Sequence, residues 1–95
     1  MSNDKITSRY ETSILNEVWQ ECGQLLEERD LQYSSGGQFD SFESAAQIAN
    51  VSVDTVFRVI IGIKLSRVAC GGNVHDSLVD TANYCILWAA YKKTR

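Results

Sequence analysis

Residues 73–93, NVHDSLVDTANYCILWAAYKK, constrain the fold more than any other stretch, because they read as one long helix with two unlike faces. Asn73 is cap-competent and Asp76 follows three residues later, the reciprocal arrangement that satisfies orphan amides at a helix start. Lys92 and Lys93 suit the negative end of the helix dipole. At about 100° per residue, Asp76, Asp80 and Asn83 fall within roughly 60° of one another, opposite an apolar stripe of Leu78, Ala82, Cys85, Ile86 and Ala89. The pattern predicts that the stripe buries and that the other face presents carboxylates. Residues 86–91 are apolar nearly all round, more than a chain this short covers by itself, so a second subunit is expected over them.

Ninety-five residues make a single domain, 1–95, with a modest core. The chain is 44% hydrophobic and 22% charged with a net charge of −3, which argues against a general electrostatic grip on duplex nucleic acid. No run approaches the ~20 apolar residues of a membrane span, and residues 1–9 lack the apolar stretch of a signal peptide. An intracellular protein is the expectation, and the resemblance described below makes this the cytoplasm of a host cell. Cys22, Cys70 and Cys85 are odd in number and lack CxxC spacing, with His75 the only histidine beside them. They read as packed apolar thiols in a reducing compartment rather than as a zinc site.

Taken in order, residues 1–8 are polar and expected to be loose, and Ser8 with Glu11 forms a capping box for a first helix reaching Asp30 or Leu31. Its inner stripe is Ile14, Leu15, Val18, Cys22, Leu25 and Leu26, with Glu17, Glu21, Glu27 and Glu28 mainly outside it. Gly23 costs about 1 kcal/mol relative to alanine inside a helix and reads as the close approach of a neighbouring helix. Residues 32–38 hold S-S-G-G and form a loop. Asp40 and Glu43 make another capping box for a short helix, in which Phe39, Phe42, Ala46 and Ile48 or Ala49 supply apolar contacts and Asn50 ends the run.

Ser52 caps a third helix from Val53 to about Cys70, with Asp54 in its first turn and Gly71-Gly72 ready to end it in a left-handed conformation. Its apolar residues run around most of the circumference, and Gly62 among them would admit another helix closely, while Lys64 and Arg67 lie one turn apart. The chain has no proline and no hairpin signal. The fold read from the sequence is all-α, a four-helix domain of three long helices and one short. It is expected to form a helical-bundle oligomer, a dimer or tetramer, through the third and fourth helices.

Glu28-Arg29, Tyr33, Lys64-Leu65-Ser66-Arg67 and the run from Asp76 to Tyr84 together resemble a family of short phage-encoded helical proteins of unknown function. That family looks like nucleotide-modification-associated domains and, more distantly, the MazG-type all-α nucleoside triphosphate pyrophosphohydrolases. Asp76 and Asp80 match acidic positions on the late helix of that pattern. The resemblance implies an oligomeric helical fold, a phage origin and a phosphorylated nucleotide as the first ligand to consider. The MazG-type pattern places ExxE on an earlier helix and ExxD on the later one, to hold magnesium. Here Ser77 stands where a second late acid belongs, and the first helix offers Glu17 and Glu21 four residues apart.

Two kinds of site follow as expectations. As a binder, the chain would hold a phosphorylated nucleotide-type ligand with Lys64 and Arg67 neutralising phosphate, Arg67 through its planar fork, and Asp76 or Asp80 contacting sugar, base or Mg2+. Asn83 and Tyr84 would lie beside it, with Arg29 and Tyr33 covering it, and a phage could use such a protein to sequester a host signalling nucleotide. As an enzyme, Asp76, Asp80, Glu17 and Glu21 would hold Mg2+ for pyrophosphohydrolysis, provided that the first and fourth helices run antiparallel and bring them together. A different class is a host-protein inhibitor contacting a basic partner through the acidic first helix. The plainer readings make Asp76 and Asp80 ordinary first-turn acids, Lys64 and Arg67 their ion-pair partners, and Trp19, Trp88, Tyr84 and Tyr91 core or subunit contacts. His75 beside Asp76 is not an acid–base pair, since neighbouring helical residues point about 100° apart.

Overall fold

The computed structural model describes the backbone of residues 2–32, 37 and 39–95, and the side chains of 11–28, 37 and 39–95. Four helices form, α1 (Ser2–Gln32), α2 (Asp40–Ala49), α3 (Val53–Ala69) and α4 (Val74–Thr94), and no strand occurs among the described residues. The fold is therefore all-α, with three long helices and one short.

Local chemistry accounts for most of the boundaries. The Ser52 hydroxyl accepts the Thr55 amide at 3.1 Å and opens α3. Asn73 does the same for α4 by accepting the Asp76 amide, while its own amide group donates to Asp76 Oδ2 at 2.8 Å. Asn50 ends α2 at φ 56°, and Gly71 follows α3 at φ 78°, a conformation that glycine adopts without the Cβ penalty. Two expected starts are corrected. α1 already begins at Ser2, so Ser8 sits inside the helix rather than capping it. Asp40 is the first residue of α2, not its cap, and its carboxylate accepts the Gly37 amide at 2.7 Å instead of an amide within the helix.

The centre of the core is Phe57, which is 0% exposed. It stacks on Phe42 of α2 at 4.5 Å and on Trp88 of α4 at 5.9 Å, and Leu87 completes the buried group. Leu26, Phe39, Val53, Val56, Ile60, Tyr84, Trp88 and Tyr91 pack around it, which gives Trp88, Tyr84 and Tyr91 the core role. The Trp88 indole N–H donates to Asp54 at 2.8 Å and the Lys92 ammonium to the same carboxylate at 3.1 Å. Those two bonds, the indole first, hold the Asp54 carboxyl below its ordinary range. Among the described residues α2 docks along α3, α3 along α4, and α1 along α4.

The faces of α4 are exchanged relative to the reading from periodicity. Leu78, Ala82, Cys85, Ile86 and Ala89 face solvent, whereas Val79, Asn83 and Leu87 are buried and Asp80 is half-buried. The reason is area. Tyr84, Leu87, Trp88 and Tyr91 lie towards the polar side of the helix, and aromatic rings bury about 150–250 Å² each, which outweighs a stripe built largely of small residues.

α1 also departs from its stripe. Cys22 is buried, with its thiol pKa pushed up mainly by that burial, and Val18 and Leu26 are half-buried. Ile14 and Leu15 are exposed, Leu25 is 38% exposed, and Trp19 is 72% exposed. Among the described residues a Cβ added at Gly23 or at Gly62 would meet nothing within 4 Å, so neither glycine serves a close helix approach there. Ile48 on α2 is likewise exposed rather than packed.

Candidate functional site

The late-helix acids are held at the mouth of a groove between α1 and α4. Asp76 is fixed in the first turn of α4 by the Asn73 cap, and Asp80 stands one turn further on the same side. Because α1 leads into α2, whose start packs against the end of α4 through Phe39 and Tyr91 at 5.3 Å, α1 and α4 run in the same direction. Their registration is fixed near the start of α4, where His75 Nε2 lies 2.9 and 3.1 Å from the two Glu21 carboxylate oxygens.

This direction decides which α1 carboxylates reach the site. Glu21, Gln24, Leu25 and Glu28, spaced by three, one and three along one face of α1, line a cavity of about 330 Å³ with Asp76, Val79 and Asp80. Glu17 does not line it. The antiparallel arrangement set as the condition for convergence is not the one found, and Glu28 rather than Glu17 lines the groove with Glu21. The sequence held a signal for this in the i, i+3, i+7 spacing of Glu21, Gln24 and Glu28, all of which share one helix face.

The cations sit behind the acids. Lys64 Nζ donates to Asp80 Oδ2 at 3.1 Å, with the two side chains only 20% and 32% exposed, so Lys64 is committed to the aspartate that links α3 to α4. Arg67 makes no ion pair among the described residues. It lines a second depression, of about 410 Å³, with Cys70, Gly72, Asn73, Ser77 and the same Asp76 and Asp80. The two aspartates therefore form a shared wall with carboxylates on one side and a guanidinium on the other.

Two further expected residues take distinct places. Asn83 is 1% exposed, one turn beyond Asp80, and its side-chain oxygen has no hydrogen-bond partner among the described residues. Tyr84 packs edge-on against Phe42 at 6.2 Å and belongs to the core wall. The Arg29 side chain and Tyr33 lie outside the described residues. Among the described residues no three His, Cys, Asp or Glu side chains converge closely enough to hold a metal ion by themselves. No helix is long and apolar enough to cross a membrane, again among the described residues.

The Glu21 hydrogen bond, then its charge, raises the His75 pKa above its ordinary value. The protonated form is favoured in the folded chain, so the tie between α1 and α4 is fully present below the unfolded pKa and is lost as pH rises through the folded one. The two side chains are 57% and 40% exposed, and the contribution is correspondingly screened. Because His75 is the only histidine, its ring protons give a single NMR titration curve. Glu21→Gln is expected to move that curve to lower pH, and an unchanged midpoint would show that the contact does not form in solution.

Comparison with family models, with curated proteins and with solved structures finds no match for this chain.

Proposed function

We propose that the groove between α1 and α4 binds a phosphorylated, nucleotide-type ligand, with a divalent cation between the carboxylates and the phosphate. The observation that carries this reading is the cavity of about 330 Å³ walled by Glu21 and Glu28 from one helix and Asp76 and Asp80 from another. Carboxylates placed together in this way repel a bare phosphate, so anion binding there requires charge inversion. The donor set is all oxygen, which suits Mg2+, and that ion commonly takes one or two protein carboxylates and fills its remaining positions with water and phosphate oxygens. A loose set of acids rather than a closed cage fits such a water-rich ion.

Arg67 supports the same reading from the far side of the aspartate wall, where its fork can meet a second phosphate oxygen. Lys64 contributes indirectly, by holding Asp80 in place. The resemblance to short phage-encoded helical proteins of unknown function, and through them to nucleotide-modification-associated and MazG-type domains, points the same way. Sequestration of a host nucleotide is the biological role it suggests.

Calorimetry against mono-, di-, tri- and cyclic nucleotides, each with and without Mg2+, tests the proposal. Saturable heat only when the metal is present is expected, and Asp76→Asn should weaken it about tenfold or more while leaving the helical signal intact. Absence of binding by every nucleotide in the presence of Mg2+ would sink the reading. The same mixtures assayed for pyrophosphate release separate a binder from a hydrolase. Ser77, standing where a second late acid would strengthen the metal's hold, favours the binder.

A further inference from the structure

The depression behind the aspartate wall, lined by Arg67 from α3 and by Asp76, Ser77 and Asp80 from α4, has the makings of a site of its own. Ser77 is what distinguishes it from a solvated crease. The residue is 7% exposed. Its backbone is used within α4, the amide donating to the Asn73 carbonyl at 3.0 Å and the carbonyl accepting from the Thr81 hydroxyl at 2.7 Å. Its own hydroxyl makes no hydrogen bond among the described residues. A buried hydroxyl normally has a partner, and one that lines a cavity of about 410 Å³ finds it in what fills the cavity.

The charges around that hydroxyl are of both signs and only half used. Asp80 gives Oδ2 to the Lys64 ammonium at 3.1 Å, and Asp76 gives Oδ2 to the Asn73 side-chain amide at 2.8 Å. Oδ1 of each carboxylate is left without a hydrogen bond among the described residues. The two aspartates stand one turn apart on one side of α4, close enough for a single ammonium to serve both. From α3, Arg67 makes no ion pair among the described residues and keeps its planar fork for a carboxylate.

With Lys64 counted, two cations from α3 face two carboxylates from α4, so the depression is neutral as a whole and polarised across its width. Such a site discriminates by charge pattern. In the absence of a metal a lone anion is repelled by Asp76 and Asp80 and a lone cation by Arg67, whereas a molecule carrying both charges a few bonds apart satisfies each end. Hydrogen-bonding capacity runs the same way: the guanidinium and the hydroxyl donate at one end, and the carboxylate oxygens only accept at the other.

We propose that this depression binds a free amino acid as its zwitterion, the ammonium held by Asp76 and Asp80 and the carboxylate by the Arg67 fork and the Ser77 hydroxyl. Cys70 and Gly72 supply uncharged lining for the rest of the molecule. The binding needs no metal and does not rest on the nucleotide reading of the neighbouring groove.

Amide NMR of the full chain in EDTA, titrated with each of the free L-amino acids, tests it. Saturable shifts centred on residues 67–80 are expected for at least one of them. The N-acetyl and carboxamide derivatives of that amino acid, which each lack one charge, should bind about tenfold more weakly or worse. Ser77→Ala and Arg67→Gln should each weaken the amino acid about tenfold, and Arg67→Lys, which keeps the charge but not the fork, by less. Ser77→Ala removes a hydroxyl that bonds nothing in the free chain, so the urea midpoint should not fall, and a loss of binding then reads the ligand contact alone. No shift with any amino acid at about 10 mM overturns the proposal, whatever nucleotides do in the presence of Mg2+. Equal binding by either one-charge derivative, or binding unmoved by both Ser77→Ala and Arg67→Gln, overturns it equally.

Discussion

Phe57→Ala should remove about 3–5 kcal/mol of unfolding free energy, a large share of the total for a domain of this size. The residue is fully buried between Phe42 and Trp88, so truncation deletes the middle ring of a three-helix stack and leaves a cavity bounded by α2, α3 and α4. The neighbours cannot close the gap cheaply. Trp88 is anchored by its indole bond to Asp54, and Phe42 is fixed on a short helix whose C-terminus turns sharply at Asn50. Urea unfolding followed by circular dichroism at a fixed protein concentration measures the loss. Val59→Ala on the exposed side of α3 serves as the control and should change stability by under about 0.5 kcal/mol. A Phe57→Ala cost under about 1.5 kcal/mol would mean that the aromatic stack does not hold the helices together.

That stack shows where the sequence was legible and where it was not. Caps and breakers act within a few residues, so Ser52, Asn73, Asn50 and Gly71 could be placed by reading the chain, and the element order followed from them. The assignment of faces needed tertiary information. α4 is apolar on two sides, and periodicity alone ranks a stripe of leucine, isoleucine and small residues above one interrupted by Asp80 and Asn83. The competition is settled by which side meets Phe57 and Phe42, and those rings belong to other helices. Asn83 is carried into the interior by this choice, with its oxygen unpartnered among the described residues, because Leu87 one turn later is worth more when buried.

The candidate site divides in the same way. The late acids and the third-helix cations were legible because short spacings on one helix fix which residues share a face. Which α1 carboxylate meets them depends on the direction in which α1 passes α4. The packing between the helices sets that direction, and nothing in the periodicity of either helix encodes it. Glu21 and Glu28 therefore line the groove where Glu17 and Glu21 were expected. Lys64 and Arg67 looked equivalent in sequence, one turn apart. The structure separates them, giving one to Asp80 and leaving the other on the rim of a second depression.

The separation can be measured through the Lys64–Asp80 pair. Asp80→Asn leaves an ammonium that is four-fifths covered without its counter-charge, and a cost of about 2–3 kcal/mol is expected. Lys64→Met removes the opposite charge and should cost less, because Asp80 is more exposed and can regain water. The double variant, with a neutral residue at both positions, should be more stable than the two single losses predict. A coupling of about 1–2 kcal/mol follows from the 3.1 Å contact, the limited exposure of both groups and the absence of a second ion-pair partner for either among the described residues. Coupling near zero would mean that Lys64 spends its time away from Asp80 and is free to act as a phosphate clamp itself. The cycle repeated with saturating nucleotide and Mg2+ carries the argument into function. If Lys64 acts only by holding Asp80, the coupling persists or grows as the aspartate is engaged, whereas a lysine that transfers to phosphate must give up part of it.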